Sequence, residues 1–207
     1  MTRGGRLVRA VMPQVPEEIL RWRRVTGADR WDEMWEGVLH MAPAPTRRHQ
    51  RLQVQIHAWL ETYWASPLGS AVDLSINVAS VGGWPHDYRI PDLVLLTPDR
   101  LSIDRDEYLE GAPAVVVEIR SPGDETWEKL SFYARLGIPE VWIIDRDTRA
   151  PQILCLSGSD YQELPPDVDG WLESRVTGVC LRAEQGERLV LQMRGETATR
   201  KLLPEVR

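Results

Sequence analysis

Apolar residues recur at helical spacing between residues 46 and 64, where Leu52, Ile56, Trp59, Leu60 and Tyr63 fall on one face. Thr46 stands where an N-cap belongs, and Pro67 and Gly69 stop the helix. Upstream, apolar runs at Met34–Trp35 and Val38–Met41 flank Glu36-Gly37, the pattern of a β-hairpin, and Pro43-Ala44-Pro45 ends it. Pro16, followed by Glu17 and Glu18 and later by arginines, opens a helix to about Val25. Residues 1–15 read as an arm or edge strand. Residues 71–79 alternate as one strand, 90–96 form the next, and 98–112 form a polar connection with room for a short helix.

Residues 114–120 are apolar on both faces, as in a central strand, but carry one charge inside the run, Glu118. Residues 124–137 read as a helix closed by Gly137, Glu140 to Ile144 as a strand, and Asp145 to Thr148 as a turn into a strand at 151–156. Later residues read as strands and turns anchored by Trp171. Strand, helix and strand from 114 to 144 make a crossover unit, so part of the sheet is expected to be parallel. The class is α/β, a mixed β-sheet flanked by α-helices. The chain length suits a single domain over 1–207, with a core at about 15–150 and a C-terminal β extension at about 151–200.

The net charge of −6 gives no global basic field of the kind that draws in nucleic acid, although seven arginines fall in the first thirty residues against three acids. Cys155 and Cys180 lie in strand-like apolar surroundings without metal-ligand spacing and read as buried thiols. No run reaches the length of a membrane span and no signal peptide is apparent, so the expected compartment is the cytoplasm. Trp22, Trp59, Trp127 and Trp142 fit apolar-face positions, whereas Trp84 in a Gly-Pro loop is the one placed to stack on a ligand.

Lysine is nearly absent: 23 Arg stand against two Lys. Lys201 falls in an expected C-terminal tail, and Lys129 on the helix after Glu118. A lysine retained in an arginine-rich chain points to a role for a compact ammonium. Lys129 either pairs with Glu125 one turn away on the surface or reaches over the sheet toward Glu118. Glu118 needs a cation, a metal or a raised pKa, because a lone buried carboxylate is costly to desolvate. Strand alternation puts Arg120 on its face, roughly 6.5–7 Å along, so a Glu–Arg pair is one reading. Asp92 follows Pro91 at the start of a strand and stands at the mouth of the sheet. Two carboxylates at strand ends suit Mg²⁺ or Mn²⁺ and, with a neighbouring cation, hydrolysis of a phosphodiester. His49 lies near the inward face of its helix, as a hydrogen-bonded core-edge histidine or as an acid, base or phosphate contact.

The ordered set Arg89-Ile90-Pro91-Asp92, Val117-Glu118-Ile119-Arg120-Ser121-Pro122, then Lys129, Tyr133, Gly137, Glu140 and Trp142, preceded by Glu33, Glu36-Gly37 and His49, resembles the Uma-two family of restriction-endonuclease-like proteins in the PD-(D/E)xK nuclease superfamily. The resemblance spans about residues 15–150. It implies a restriction-endonuclease-like fold, Asp92 and Glu118 as metal ligands with the Ile119 carbonyl as a third, and Glu33 facing the same cleft. The superfamily motif expects lysine where Arg120 stands. Arg cannot serve as a base, so Arg120 is left to steady phosphate charge and Lys129 becomes the candidate relocated lysine. The expected activity is Mg²⁺-dependent endonucleolytic cleavage of DNA. A catalytically inactive nucleic-acid- or protein-binding module and a purely structural domain are the alternatives, and a homodimer is expected because duplex cleavage needs two cuts.

Overall fold

The computed structural model describes residues 10–12 and 15–204, the first three by backbone alone. In chain order it has β1 (Ala10–Met12), α1 (Glu17–Thr26), β2 (Glu33–Trp35), β3 (Val38–Met41), α2 (Arg47–Leu60), a π turn at Glu61–Ala65, the short α3 (Ser66–Leu68), β4 (Ala71–Leu74), β5 (Asn77–Ala79), β6 (Tyr88–Arg89) and β7 (Leu93–Leu96). A 3₁₀ segment at Pro98–Ile103 leads to β8 (Tyr108–Glu110), β9 (Val115–Arg120), α4 (Thr126–Leu136), β10 (Glu140–Asp145), β11 (Pro151–Ser157) and β12 (Asp160–Glu163). The chain closes with β13 (Leu172–Glu173), β14 (Val179–Glu184), β15 (Arg188–Met193) and β16 (Glu196–Leu203).

The central sheet has the order β12-β11-β10-β9-β7-β4. Strand β9 lies parallel to β10 and antiparallel to β7, so the crossover through α4 and the central place of residues 114–120 are as the sequence predicts. Alternation along these strands separates two cores. One face carries Leu93, Leu95, Val117, Ile119 and Trp142 against Leu52, Ile56 and Leu60 of α2, and extends to Leu181, Leu189 and Leu191 of the four-stranded sheet β13-β14-β15-β16. The other face carries Val94, Val116 and Ile143 against Phe132 and Tyr133 of α4 and Val78 and Leu109 of a second six-stranded sheet, β1-β3-β2-β6-β5-β8. The molecule is α/β with helices on both faces of the mixed central sheet, and the described strands form three sheets where one mixed sheet and a C-terminal β extension were expected.

Several expectations are corrected. Residues 71–79 are two strands in different sheets, because Ser75 takes a left-handed φ of 52° and turns the chain between them. Arg89 likewise ends a strand of one sheet and Leu93 begins a strand of the other, with Ile90 to Asp92 at the joint. The π turn adds one residue to a helical turn, so the inward face after Leu60 is Trp64 and Ala65 while Tyr63 is 40% exposed. Trp59 and Trp142 are buried as expected, but Trp22 is 61% and Trp127 45% exposed, and Trp84 stacks on Tyr108 with centroids 4.9 Å apart. Lys201 lies within β16, not in a tail. The expected edge strand holds for Ala10–Met12, which pairs with β3 at the end of its sheet; the rest of that expectation, with Arg3, Arg6 and Arg9, lies outside the described residues.

Candidate active site

The register of the central sheet makes the site. Leu93 pairs with Val117 across antiparallel β7 and β9, which brings Asp92, in the bend just before β7, to the same cleft as Glu118. The Asp92 charge acts against ionisation of Glu118, so a cation is needed between or beside the two carboxylates. Lys129 supplies it from α4, one helix entry after β9. Its Nζ lies 2.7 Å from Glu33 Oε1 and 3.2 Å from Glu118 Oε1, with the Ile90 carbonyl at 3.4 Å. The two readings left open for Lys129 are thereby separated: it reaches across the sheet, while Glu125 pairs with His40 Nδ1 at 2.8 Å.

Glu33 comes from the other sheet, on β2. Its Oε1 also accepts the Ile90 N–H at 2.9 Å and its Oε2 the Trp35 indole N–H at 2.7 Å. Arg89 holds this joint closed. It is 3% exposed, lies over the Trp35 and Phe132 rings, and donates to the Met34 carbonyl and Asp87. Tyr133, one helical turn beyond Lys129, donates its hydroxyl to Glu118 Oε1 at 2.6 Å. The sequence put Tyr133 beside Lys129 but gave it no role, because a tyrosine on an apolar helix face looks like any core aromatic until the strand below it carries a carboxylate.

Asp92 and His49 form the other half. Asp92 Oδ2 accepts the Ile119 N–H at 2.7 Å, and the Asp92 carbonyl accepts from the Gln53 side chain at 2.7 Å. His49 sits in the first turn of α2, where its N–H donates to the Thr46 hydroxyl, the predicted cap. Its Nε2 is 3.1 Å from Asp92 Oδ2 and 3.1 Å from the Ile119 carbonyl. Glu33, His49, Asp92, Glu118, Ile119 and Lys129, with His40, line one cleft of about 190 Å³. Arg120 is not among its walls. It is opposite Asp145 in parallel register and donates to that carboxylate at 2.6 Å, so the sequence-predicted Glu118–Arg120 pair does not form.

Burial raises the Glu118 carboxyl to about 7; Asp92 and Glu33 add to this, while the Lys129 charge and the Tyr133 hydroxyl oppose it. Burial works against the charge on Lys129, but Glu118 and Glu33 outweigh it and hold the ammonium above its usual range. Burial also works against charge on His49, yet the Asp92 contact and the Ile119 carbonyl hold the imidazole above its ordinary value. A carboxyl raised on folding stabilises below its unfolded pKa, and that stability is lost as pH rises through the folded value. Without divalent cations, the wild type is therefore expected to lose melting temperature relative to Glu118→Gln as pH rises from the ordinary carboxyl range to about 7, with the two levelling off in parallel above it. Thermal melts across that range test this, and curves parallel throughout would contradict it.

Asp92 Oδ2 and the Ile119 carbonyl converge on one donor, His49 Nε2, with Glu118 in the same cleft. Hard oxygen donors in this arrangement fit Mg²⁺ or Mn²⁺ in kind. Among the described residues no three His, Cys, Asp or Glu side chains form a metal-ligand group, so a cation here would be held by two carboxylates and a carbonyl and completed by water.

The family model Uma2, described as "Putative restriction endonuclease", matches residues 16–183. No curated protein matches the chain. A crystal structure of "a putative nuclease belonging to DUF820 from Anabaena variabilis ATCC 29413" is similar with a TM-score of 0.53 and 16% identity, over 66% of this chain and 78% of that one. At that identity the likeness is one of fold.

Proposed function

The chain belongs to the Uma2 restriction-endonuclease family, and on that premise we propose that it is a Mg²⁺- or Mn²⁺-dependent endonuclease acting on DNA, in the cytoplasm and as a symmetric dimer. The observation that carries this reading is Asp92 and Glu118 together in one cleft at the mouth of the central sheet, with the buried Lys129 ammonium against Glu118. Asp92, Glu118 and the Ile119 carbonyl would hold the cation. When bound, it supplies Lewis-acid charge for a phosphate oxygen and lowers the pKa of a water.

The remaining work falls to this chain's own groups. Lys129 stays protonated, so it acts as a hydrogen-bond donor that orients water and offsets phosphate charge, not as a base. Glu33 and Tyr133 fix where the Lys129 ammonium and the Glu118 carboxylate point. His49 holds Asp92 in place through Nε2 and, as part of the cleft wall, is the group available as an acid or phosphate contact. Arg120, tied to Asp145, supports β9 from outside the cleft.

A second reading has its own observation. Glu33, Glu118 and the Ile90 carbonyl already lie around the Lys129 ammonium, leaving none of its three hydrogens plainly free for water. A nucleic-acid-binding module on the same scaffold would look like this. The two separate with supercoiled plasmid in Mg²⁺, Mn²⁺ or EDTA. The nuclease reading expects nicking with either metal and none in EDTA. It also expects Mn²⁺ at a hundredfold over its Kd to stabilise the protein by about 2.7 kcal/mol, about 5–10 °C for a chain of this size. DNA retention indifferent to metal, with no nicking, would support the binding module.

A further inference from the structure

The turn between β10 and β11 carries chemistry that the cleft does not use. Asp145 braces it, accepting the N–H groups of Asp147 at 3.0 Å and Thr148 at 2.8 Å on one oxygen and Arg120 on the other. The braced turn presents Arg146 and Arg149. Arg149 is 4% exposed, and its Nε and Nη1 have no hydrogen-bond partner among the described residues. It also holds a left-handed φ of 65°, which favours glycine, so the side chain is kept against a backbone cost. A buried guanidinium with two unmatched donors is expensive unless an anion meets them.

The surroundings select for that anion. Arg146 lines the active-site cleft, donating to the Ser121 hydroxyl at 3.3 Å and to Asp147 at 2.9 Å. Arg48, at the N-terminal turn of α2, reaches Asp147 at 3.9 Å and Glu187 at 3.7 Å. Three arginines thus converge on this turn beside Asp147 and Glu187, with Asp145 and Asp124 also acting on Arg146. The first turn of α2 has no acidic residue and holds Arg47 and Arg48, the reverse of what the helix dipole prefers, so an anion there relieves both. Burial lowers the Arg149 pKa and the Arg48 charge lowers it further; Asp147 and Glu187 oppose this and Arg146 adds to it, which places the three guanidinium groups in one field.

We propose that Arg149, with Arg146 and Arg48, binds a backbone phosphate of the nucleic-acid substrate beside the cleft that contains Asp92 and Glu118. The fixed fork of a guanidinium matches phosphate oxygens in pairs. The assignment of the phosphate to a nucleic-acid backbone rests on the nuclease reading; the existence of an anion site does not.

Two measurements on the full chain test it. In thermal melts at matched ionic strength, inorganic phosphate should raise the wild-type melting temperature above its value in chloride, and Arg149→Gly should lose the shift. Glycine accepts the left-handed backbone, so the variant is expected to fold. In EDTA, the affinity of Arg149→Gly for a duplex oligonucleotide should fall on the order of tenfold, with the salt slope reduced by about one. If Arg149→Gly does not fold, Arg48→Gln combined with Arg146→Gln serves both measurements. Absence of a phosphate-specific shift, or the same shift in the variant, overturns the site. A lost phosphate shift with unchanged DNA affinity overturns the backbone assignment and leaves a site for free phosphate. Wild type that binds DNA through this site but never nicks it overturns the nuclease reading alone.

Discussion

Asp92→Asn is expected to lower metal-dependent cleavage on the order of a thousandfold while leaving the melting temperature unchanged or higher. The two effects move apart for a structural reason. An asparagine oxygen can still accept the Ile119 N–H that Asp92 holds at 2.7 Å, so the joint before β7 keeps its hydrogen bond. The substitution also removes a charge that acts against Glu118, which offsets the loss of an anionic partner for His49. On the proposed nuclease reading a hard cation, by contrast, would lose an anionic ligand, and several kcal/mol of transition-state stabilisation with it, about 4 kcal/mol for a thousandfold. Plasmid nicking rates and melts on the same preparation measure both. Wild-type cleavage by Asp92→Asn would remove Asp92 from the metal site.

Lys129→Met has the largest expected effect on stability. The substitution keeps the length of the side chain and deletes the ammonium, leaving Glu33 and Glu118 buried without their shared cation. Breaking a buried pair by removing one partner costs about 3–5 kcal/mol, which is about 6–20 °C for a chain of this size. Adding Glu118→Gln to Lys129→Met is expected to restore part of the loss, because the stranded charge is then gone. If the double variant is no more stable than the single one, the cost lies in packing and not in charge. Lys129→Arg is a poorer probe than it would be on a surface. A larger planar fork has to enter a space walled by three oxygens, so it disturbs the fold whether or not the lysine meets a substrate.

Local rules carried far along this chain. The hairpin at Glu36-Gly37, the Thr46 cap, the Gly137 stop and the β9–α4–β10 crossover each follow from turn chemistry or periodicity within a short window, and each is found. The central strand announced its own buried charge. What stayed hidden depends on which sheet a segment joins. Alternation runs unbroken through residues 71–79, so nothing in it marks the left-handed Ser75 where the chain changes sheets. The extra residue of the π turn leaves the apolar pattern intact and only shifts its phase. Trp22 and Trp127 satisfy helical spacing and are nevertheless exposed, because no element covers those faces among the described residues.

The site follows the same division. Glu118, Asp92 and Lys129 were legible because a carboxylate in an apolar strand and a rare lysine are anomalies in their own neighbourhoods. The partnership of Lys129 with Glu33 was not, since it joins α4 to a hairpin ninety-six residues earlier through a second sheet. The destination of Arg120 turned on the parallel register with β10, which sets Asp145 beside it. Arg149 gave no sign in the sequence, because its unmatched donors appear only once the turn has folded.

The small sheet β13-β14-β15-β16 decides where this protein can be cut. The matched family region stops at residue 183, inside β14, and an expression fragment drawn to that limit would look complete on paper. It would lack β15 and β16, whose Leu189, Leu191 and Leu203 fill the same core as Leu52 and Trp59, and it would present β14 as a bare edge. The indole of Trp59 would also lose the Thr199 carbonyl it bonds at 2.8 Å. Such a fragment should aggregate on production, and its silence in an assay would say nothing about chemistry. A fragment that keeps the chain through Leu203 retains both the closing strand and the floor beneath α2.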